Sequence, residues 1–338
     1  MKNYGIPFGD RFLIIPEGDT SIMHSALFII HSLITLALLC TSQKGGITML
    51  TKEQFHEKIA HGLRFLDGAT GSNLQKVGMP RGCCTEEWIL SHPDALTDLQ
   101  RRYVDAGSQI ILAPTFQAQP IPLERVGLAD RTEELNAQLV QLSRSVSSDV
   151  LVAGDLTTLA TFLDSFDEAN FDLMVDQYRR QIRGLIDGGA DILAAETLMY
   201  PLEAEAILTA AELEGAGAVL YTFTMQPDGS LFSGRDAGKV LRELEESGAA
   251  AVGFNCVAAD MMTPYLISKL RRDVKGPLIC KPNAGIPVID PDQTVRYPMS
   301  PDEFAGIMAQ CRQNGASLLG GCCGTAPEFI AKLKETLA

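Results

Sequence analysis

A closed α/β fold of eight strand–helix units, the (β/α)8 or TIM barrel, is what this sequence predicts, on three observations. From about residue 63, short apolar or β-branched runs alternate with longer amphipathic stretches, the pattern of repeated βα units around a parallel sheet. Eight such units can be counted. Several helical stretches also run into a glycine just before the next strand, at Ala106-Gly107, Gly188-Gly189, Gly215-Ala216-Gly217, Ser247-Gly248 and Asn314-Gly315, which suits a left-handed C-cap. A doubly wound open sheet is the runner-up. It would bring fewer strands and a nucleotide-binding glycine loop after the first, and Asp67-Gly68-Ala69-Thr70-Gly71 does not match that fingerprint.

The eight strands are expected at Leu63–Asp67, Gln109–Phe116, Asp149–Leu156, Ala190–Thr197, Ala218–Met225, Ala250–Cys256, Pro277–Pro282 and Ser317–Cys323. No low-complexity run or long linker divides residues 49–338, so they read as one domain. At 46% hydrophobic and 21% charged residues, the composition supports a large core. The formal net charge of −14 argues against nucleic acid and anionic membranes as partners.

Residues 1–48 differ in kind. They hold three basic and three acidic residues, so the whole excess of negative charge belongs to residues 49–338. Ile22 to Cys40 is almost continuously apolar, with Lys2 and Arg11 before it and Lys44 after. The segment reads as an extension from an upstream start, with Met49 as the alternative beginning. A membrane anchor or a cleaved secretory signal are the competing readings.

Eight cysteines in a chain long enough to build its own core, two pairs of them adjacent, read as free thiols in a reducing compartment, hence the cytoplasm. Cys280 and Cys311 read as buried small hydrophobes, and Cys83-Cys84 as incidental to the chemistry.

Active sites of such barrels lie at the C-terminal ends of the strands. Reactive side chains fall there selectively: Asp67 on strand one, Thr115 near the end of strand two, Glu196 on strand four, Asn255-Cys256 on strand six and Cys322-Cys323 on strand eight. Three thiolates satisfy three positions of a zinc ion and leave the fourth open for substrate, the layout of a catalytic site. Their charge leaves the metal centre at −1, which weakens it as a Lewis acid and keeps a bound thiolate nucleophilic. That suits sulfur alkylation. All five histidines precede strand two, which argues against a Ser-His-Asp triad at the mouth and leaves cysteine to bind the metal. Taken singly, Asp67 and Glu196 are as easily structural carboxylates. Together near a metal-bound thiol they suit an amino acid's ammonium, with backbone N–H groups near Gly68 and Thr115 for its carboxylate.

Four segments, Phe65-Leu66-Asp67-Gly68-Ala69-Thr70-Gly71, Gly253-Phe254-Asn255-Cys256, Lys281-Pro282-Asn283-Ala284-Gly285 and Gly320-Gly321-Cys322-Cys323-Gly324-Thr325, resemble the homocysteine S-methyltransferases over about residues 60–338. The resemblance implies a zinc-dependent (β/α)8 barrel with Cys256, Cys322 and Cys323 on zinc and the homocysteine sulfur in the fourth position. It implies Asp67 and Glu196 on the amino group, Gly68 and Thr115 on the carboxylate, and Asn255 beside the metal. The product would be methionine. The donor would be a methylcorrinoid carried by a separate protein, S-methylmethionine or betaine; the Pro282-Asn283-Ala284-Gly285 turn leans toward the corrinoid. Two loops depart from the family pattern: Ala113-Pro114 stands where Asn-Thr-Phe usually begins, and Gly154-Asp155 where Gly-Pro is common. They leave open a corrinoid-linked enzyme acting on another thiol or methylated compound. A non-catalytic barrel binding zinc or an amino acid is the reading from a different class.

Overall fold

The computed structural model describes residues 5–8, 11–14, 48–62, 64–261, 264–290 and 295–338. The chain divides into two units, Met1–Gly46 and Ile47–Ala338. In the first, Gly5–Phe8 pairs antiparallel with Arg11–Ile14. The apolar run Ile22 to Cys40 lies outside the described residues. No helix among the described residues is long and apolar enough to cross a membrane.

The second unit carries seven parallel strands in chain order: β1 (Ile110–Leu112), β2 (Leu151–Thr157), β3 (Ile192–Leu198), β4 (Val219–Phe223), β5 (Ala251–Ala258), β6 (Leu278–Asn283) and β7 (Leu318–Leu319). The eighth stave is reduced to two residues: Phe65 bridges Leu319 and Leu66 bridges Ile110, both in parallel sense. Leu66 N–H donates to Leu319 C=O at 2.8 Å and Ile110 N–H to Phe65 C=O at 3.1 Å, so this seam joins the two edges with single bridges rather than a regular ladder. The eight expected strands are therefore present in order, the first, second and last shortened.

Alternation builds two cores, because successive strand residues face opposite sides. Ile110, Leu112, Ala153, Ile192, Ala194, Leu220 and Ile279 face one another inside the ring. Val152, Leu193, Tyr221, Phe254 and Cys280 face the helices outside. Helix Lys52–Ala60, opened by a capping box at Thr51, packs Phe55 into the inner cluster and plugs the floor. Helices starting with proline at the first turn return the chain between strands at Pro93, Pro201 and Pro301, and a fourth, at Pro327, follows the last strand. The anticipated glycine stops hold: Gly107, Gly189, Gly215, Gly248 and Gly315 all have positive φ.

Candidate metal centre

Two expected strands end early, and that shapes the site. The last ladder stops at Leu319, so Cys322 and Cys323 sit in a turn beyond the strand and not on it. Cys322 N–H donates to Pro282 C=O at 2.8 Å and Ala284 N–H to Cys323 C=O at 3.0 Å, tying the doublet to the end of β6. The Thr325 hydroxyl donates to Cys322 C=O at 2.7 Å and accepts from Ala69 N–H at 3.2 Å. A side chain at Gly321 would collide with Thr325, and Gly324, at φ 80°, faces the Tyr297 ring, so neither position has room for a Cβ.

Cys256 reaches the mouth by breaking alternation. Its parity with Val252 and Phe254 would send it toward the helices. Instead its backbone is left-handed (φ 57°) and the β5–β6 register shifts between Asn255 and Ala258. Thr197 on β3 does the same (φ 59°), with a register shift between Ala195 and Leu198. Such backbone is rare outside glycine and rarer still for a β-branched residue, so something must hold it. Asn255, fully buried, does: its Oδ1 accepts from Thr197 N–H at 2.7 Å and its Nδ2 donates to Thr197 Oγ1 at 2.8 Å. The same Nδ2 lies 3.8 Å from Cys322 Sγ.

The three sulfurs lie within 4.8 Å of one another, the only such cluster of potential metal ligands among the described residues. A tetrahedral zinc with Zn–S bonds of about 2.3 Å would hold its sulfurs roughly 3.8 Å apart, so the trio needs little movement to fit. The charge state also fits a cation. Hydrogen bonds with Cys322 and Cys323 push Cys256 far above the ordinary thiol range, while bonds with Cys256 and Cys322 pull Cys323 far below it. A divalent ion is what lets all three ionise together.

Beside the sulfurs lies a group of buried ionisable residues. Asp67 accepts from Leu112 N–H at 2.8 Å through Oδ2, while its Oδ1 has no partner; burial pushes its carboxyl up to about 7, against the pull of Lys281. Glu196 bonds Lys281 Nζ at 2.6 Å, and burial raises its carboxyl despite that partner. Asp155 is raised first by burial and then by Glu196, and its Oδ1 also has no partner. Burial works to discharge the Lys281 ammonium, but Glu196, Asp67 and Cys322 outweigh it and hold it above its ordinary range.

A cleft of about 460 Å³ joins these groups. Gly68, Asp155, Glu196, Cys256, Lys281, Cys322 and Cys323 line it, and it continues to Thr85, Glu86, Pro114, Phe116 and Gln117. Glu86 is buried there and accepts from Gln117 N–H at 2.9 Å.

Of the residues expected from the sequence, Gly68, Glu196 and the three cysteines meet on this cleft, with Asp67 and Asn255 buried behind it. Thr115 does not. The strand ends at Leu112, Thr115 N–H is taken by Ala113 C=O at 2.8 Å, and the Thr115 hydroxyl exchanges bonds with the Asp155 backbone. It braces the neighbouring strand and has no amide to offer a ligand. Asp155, Lys281, Thr197 and Glu86 were not anticipated. Asp155 lies two residues after Ala153 and Lys281 two after Ile279, so inward parity marks both. Cys280 and Cys311 are buried as expected, and Cys83 and Cys84 do not line the cleft.

Comparison with known proteins gives one family. A model described as homocysteine S-methyltransferase matches residues 64–337. The methionine synthase of Mycobacterium leprae is 28% identical over 301 residues, covering 83% of this chain and 25% of that protein. The methionine synthase of Mycobacterium tuberculosis is 28% identical over 291 residues, covering 80% and 24%. The chain thus spans about a quarter of the length of these curated relatives. Among solved structures, the homocysteine methyltransferase MmuM from Escherichia coli in its oxidised form superimposes with a TM-score of 0.69 at 25% identity, over 81% of this chain and 95% of that one. Its metallated form gives 0.71 at 24% identity, over 83% and 99%.

Proposed function

The chain belongs to the homocysteine S-methyltransferase family, and from that premise we propose that it methylates the sulfur of homocysteine, giving methionine, at a zinc ion held by Cys256, Cys322 and Cys323. The observation that carries the reading is the convergence of three sulfurs within 4.8 Å at the mouth of the barrel, on a cleft that also holds carboxylates for an amino acid. The metallated MmuM structure supports metal use by this fold. Zinc bound there would supply one open position at which a thiol is held as its thiolate at neutral pH.

The chain's own residues do the rest. Asn255 fixes Thr197 and the Cys322 sulfur, so the ligand turn and the neighbouring strand end keep one geometry. Glu196 and Asp67 face an acceptor's ammonium; Gly68 gives backbone access, since a Cβ there would clash with Thr325 and Tyr103. The acceptor sulfur then attacks the donor's methyl carbon in line, forming the new S–C bond as the methyl–donor bond breaks, and the donor leaves with the electron pair of the broken bond. The stretch of the cleft past Pro114 and Phe116 is where a donor approaches. The Pro282-Asn283-Ala284-Gly285 turn favours a methylcorrinoid on a separate protein, with S-methylmethionine and betaine as the small-molecule donors. We place the activity in residues 49–338 and in the cytoplasm.

The test is methionine formation from homocysteine with methylcobalamin, S-methylmethionine and betaine in parallel, with Cys323→Ala as the control. One donor should support turnover in the native chain, and the variant should lose both zinc and turnover. No methionine with any donor would sink the reading.

A further inference from the structure

Asp155 lines the cleft and has no task in the chemistry so far. It follows Ala153 by two residues on β2, so its side chain continues the inward row above the floor. The strand does not need that side chain. Asp155 N–H donates to the Thr115 hydroxyl at 3.0 Å, and Asp155 C=O accepts from the same hydroxyl at 2.8 Å and from Gln181 Nε2 at 3.2 Å, all through the main chain. The residue is only 5% exposed, and its Oδ1 is buried without a partner.

A buried acceptor left unmet destabilises a fold, so its place on a ligand cleft calls for a reason. The neighbours supply one. Lys281 bonds Glu196 Oε2 at 2.6 Å, and among the described residues no salt bridge joins it to Asp155 or Asp67. Two unmet oxygens remain in the pocket, Asp67 Oδ1 and Asp155 Oδ1. Burial and then the charge of Glu196 raise the Asp155 carboxyl, so it keeps its proton until a cation arrives. An α-ammonium is such a cation: it favours the carboxylate, and it brings three N–H groups to three carboxyls.

We infer that Asp155 determines acceptor specificity: its carboxyl takes one N–H of the acceptor's α-ammonium, beside Asp67 and Glu196, so the pocket selects thiols that carry that group. This deepens the acceptor reading given above and rests on it. The proton that Asp155 gives up passes to solvent as the ammonium enters.

The experiment is calorimetric titration of the zinc-loaded full chain with homocysteine and with its analogue lacking the amino group. The native chain should bind homocysteine at least about tenfold more tightly than the analogue. Asp155→Ala should reduce that ratio at least about tenfold by weakening homocysteine alone, as loss of a charged hydrogen bond requires. A native ratio under about tenfold, or a smaller reduction in the variant, overturns the inference. Equal weakening of both thiols is one such outcome, the mark of a merely structural side chain. Should Asp155→Ala fail to fold or to hold zinc, Asp155→Asn, which keeps the shape and removes the charge, decides by the same rule. Failure of the native chain to bind either thiol refutes the acceptor reading itself, whereas homocysteine bound with the wrong ratio refutes only the role of Asp155.

Discussion

The floor and the mouth of this barrel are built from the same strands and obey different rules. On the floor, Ile110, Ala153, Ile192, Leu220 and Ile279 pack inward above Phe55 with no polar atom among their side chains. Continuing along the same inward rows, the chain reaches Asp155, Glu196 and Lys281. Here backbone turns left-handed at Thr197 and Cys256, the ladder slips, and buried carboxyl oxygens go unpartnered. The contrast teaches where the cost of function is placed: a conventional, well-packed half fixes the strand ends that carry strain and buried charge.

The largest test of that separation is on the floor. Leu220→Ala removes a side chain that is 2% exposed in a packed interior, and should cost about 2–5 kcal/mol in urea unfolding. Zinc content should stay at one per folded chain. Loss of metal in the folded variant would show that floor and mouth are one unit and that the division is wrong.

The next test is at the mouth. Asn255→Ala should weaken zinc binding by about 10–100-fold in competition with a chelator, as expected when a group orienting a ligand is removed. The variant loses the brace on Thr197 and the contact with Cys322. Unchanged zinc affinity would mean that the left-handed backbone holds itself and that Asn255 is only a filler.

The same division explains what could be read in the sequence. The floor was legible because it follows two periodicities: all eight staves, and the glycines that end helices such as Pro93–Ala106, stand where alternation and capping put them. The three cysteines were legible as residue types at strand ends. Thr115 was misplaced because the strand was carried through to Phe116, whereas the ladder stops at Leu112 and Pro114 follows without an N–H to donate. Asp155 and Lys281 are not the final residues of their expected strands; inward parity, from Ala153 and Ile279, selects the residue before the last. The turn of Cys256 into the cleft follows from a φ that no composition reveals.

The smallest expected effect concerns the charge that the mouth carries before any ligand binds. Burial pushes the Asp67 carboxyl up to about 7, from an ordinary value of 3.8. A raised carboxyl binds its proton more tightly in the folded protein than in the unfolded one. Its contribution to stability is therefore complete below about pH 4 and is lost as pH rises toward about 7. Asp67→Asn, which keeps an oxygen for Leu112 N–H, removes that dependence. In urea titrations of chelated protein at pH 5 and pH 8, the native chain should lose on the order of 1 kcal/mol more than the variant between the two conditions. A floor substitution such as Leu220→Ala should shift both titrations equally, since it changes packing and leaves every proton where it was. If Asp67→Asn also shifts both equally, Asp67 is charged at both pH values, and Lys281 with the Leu112 amide outweighs burial at the mouth.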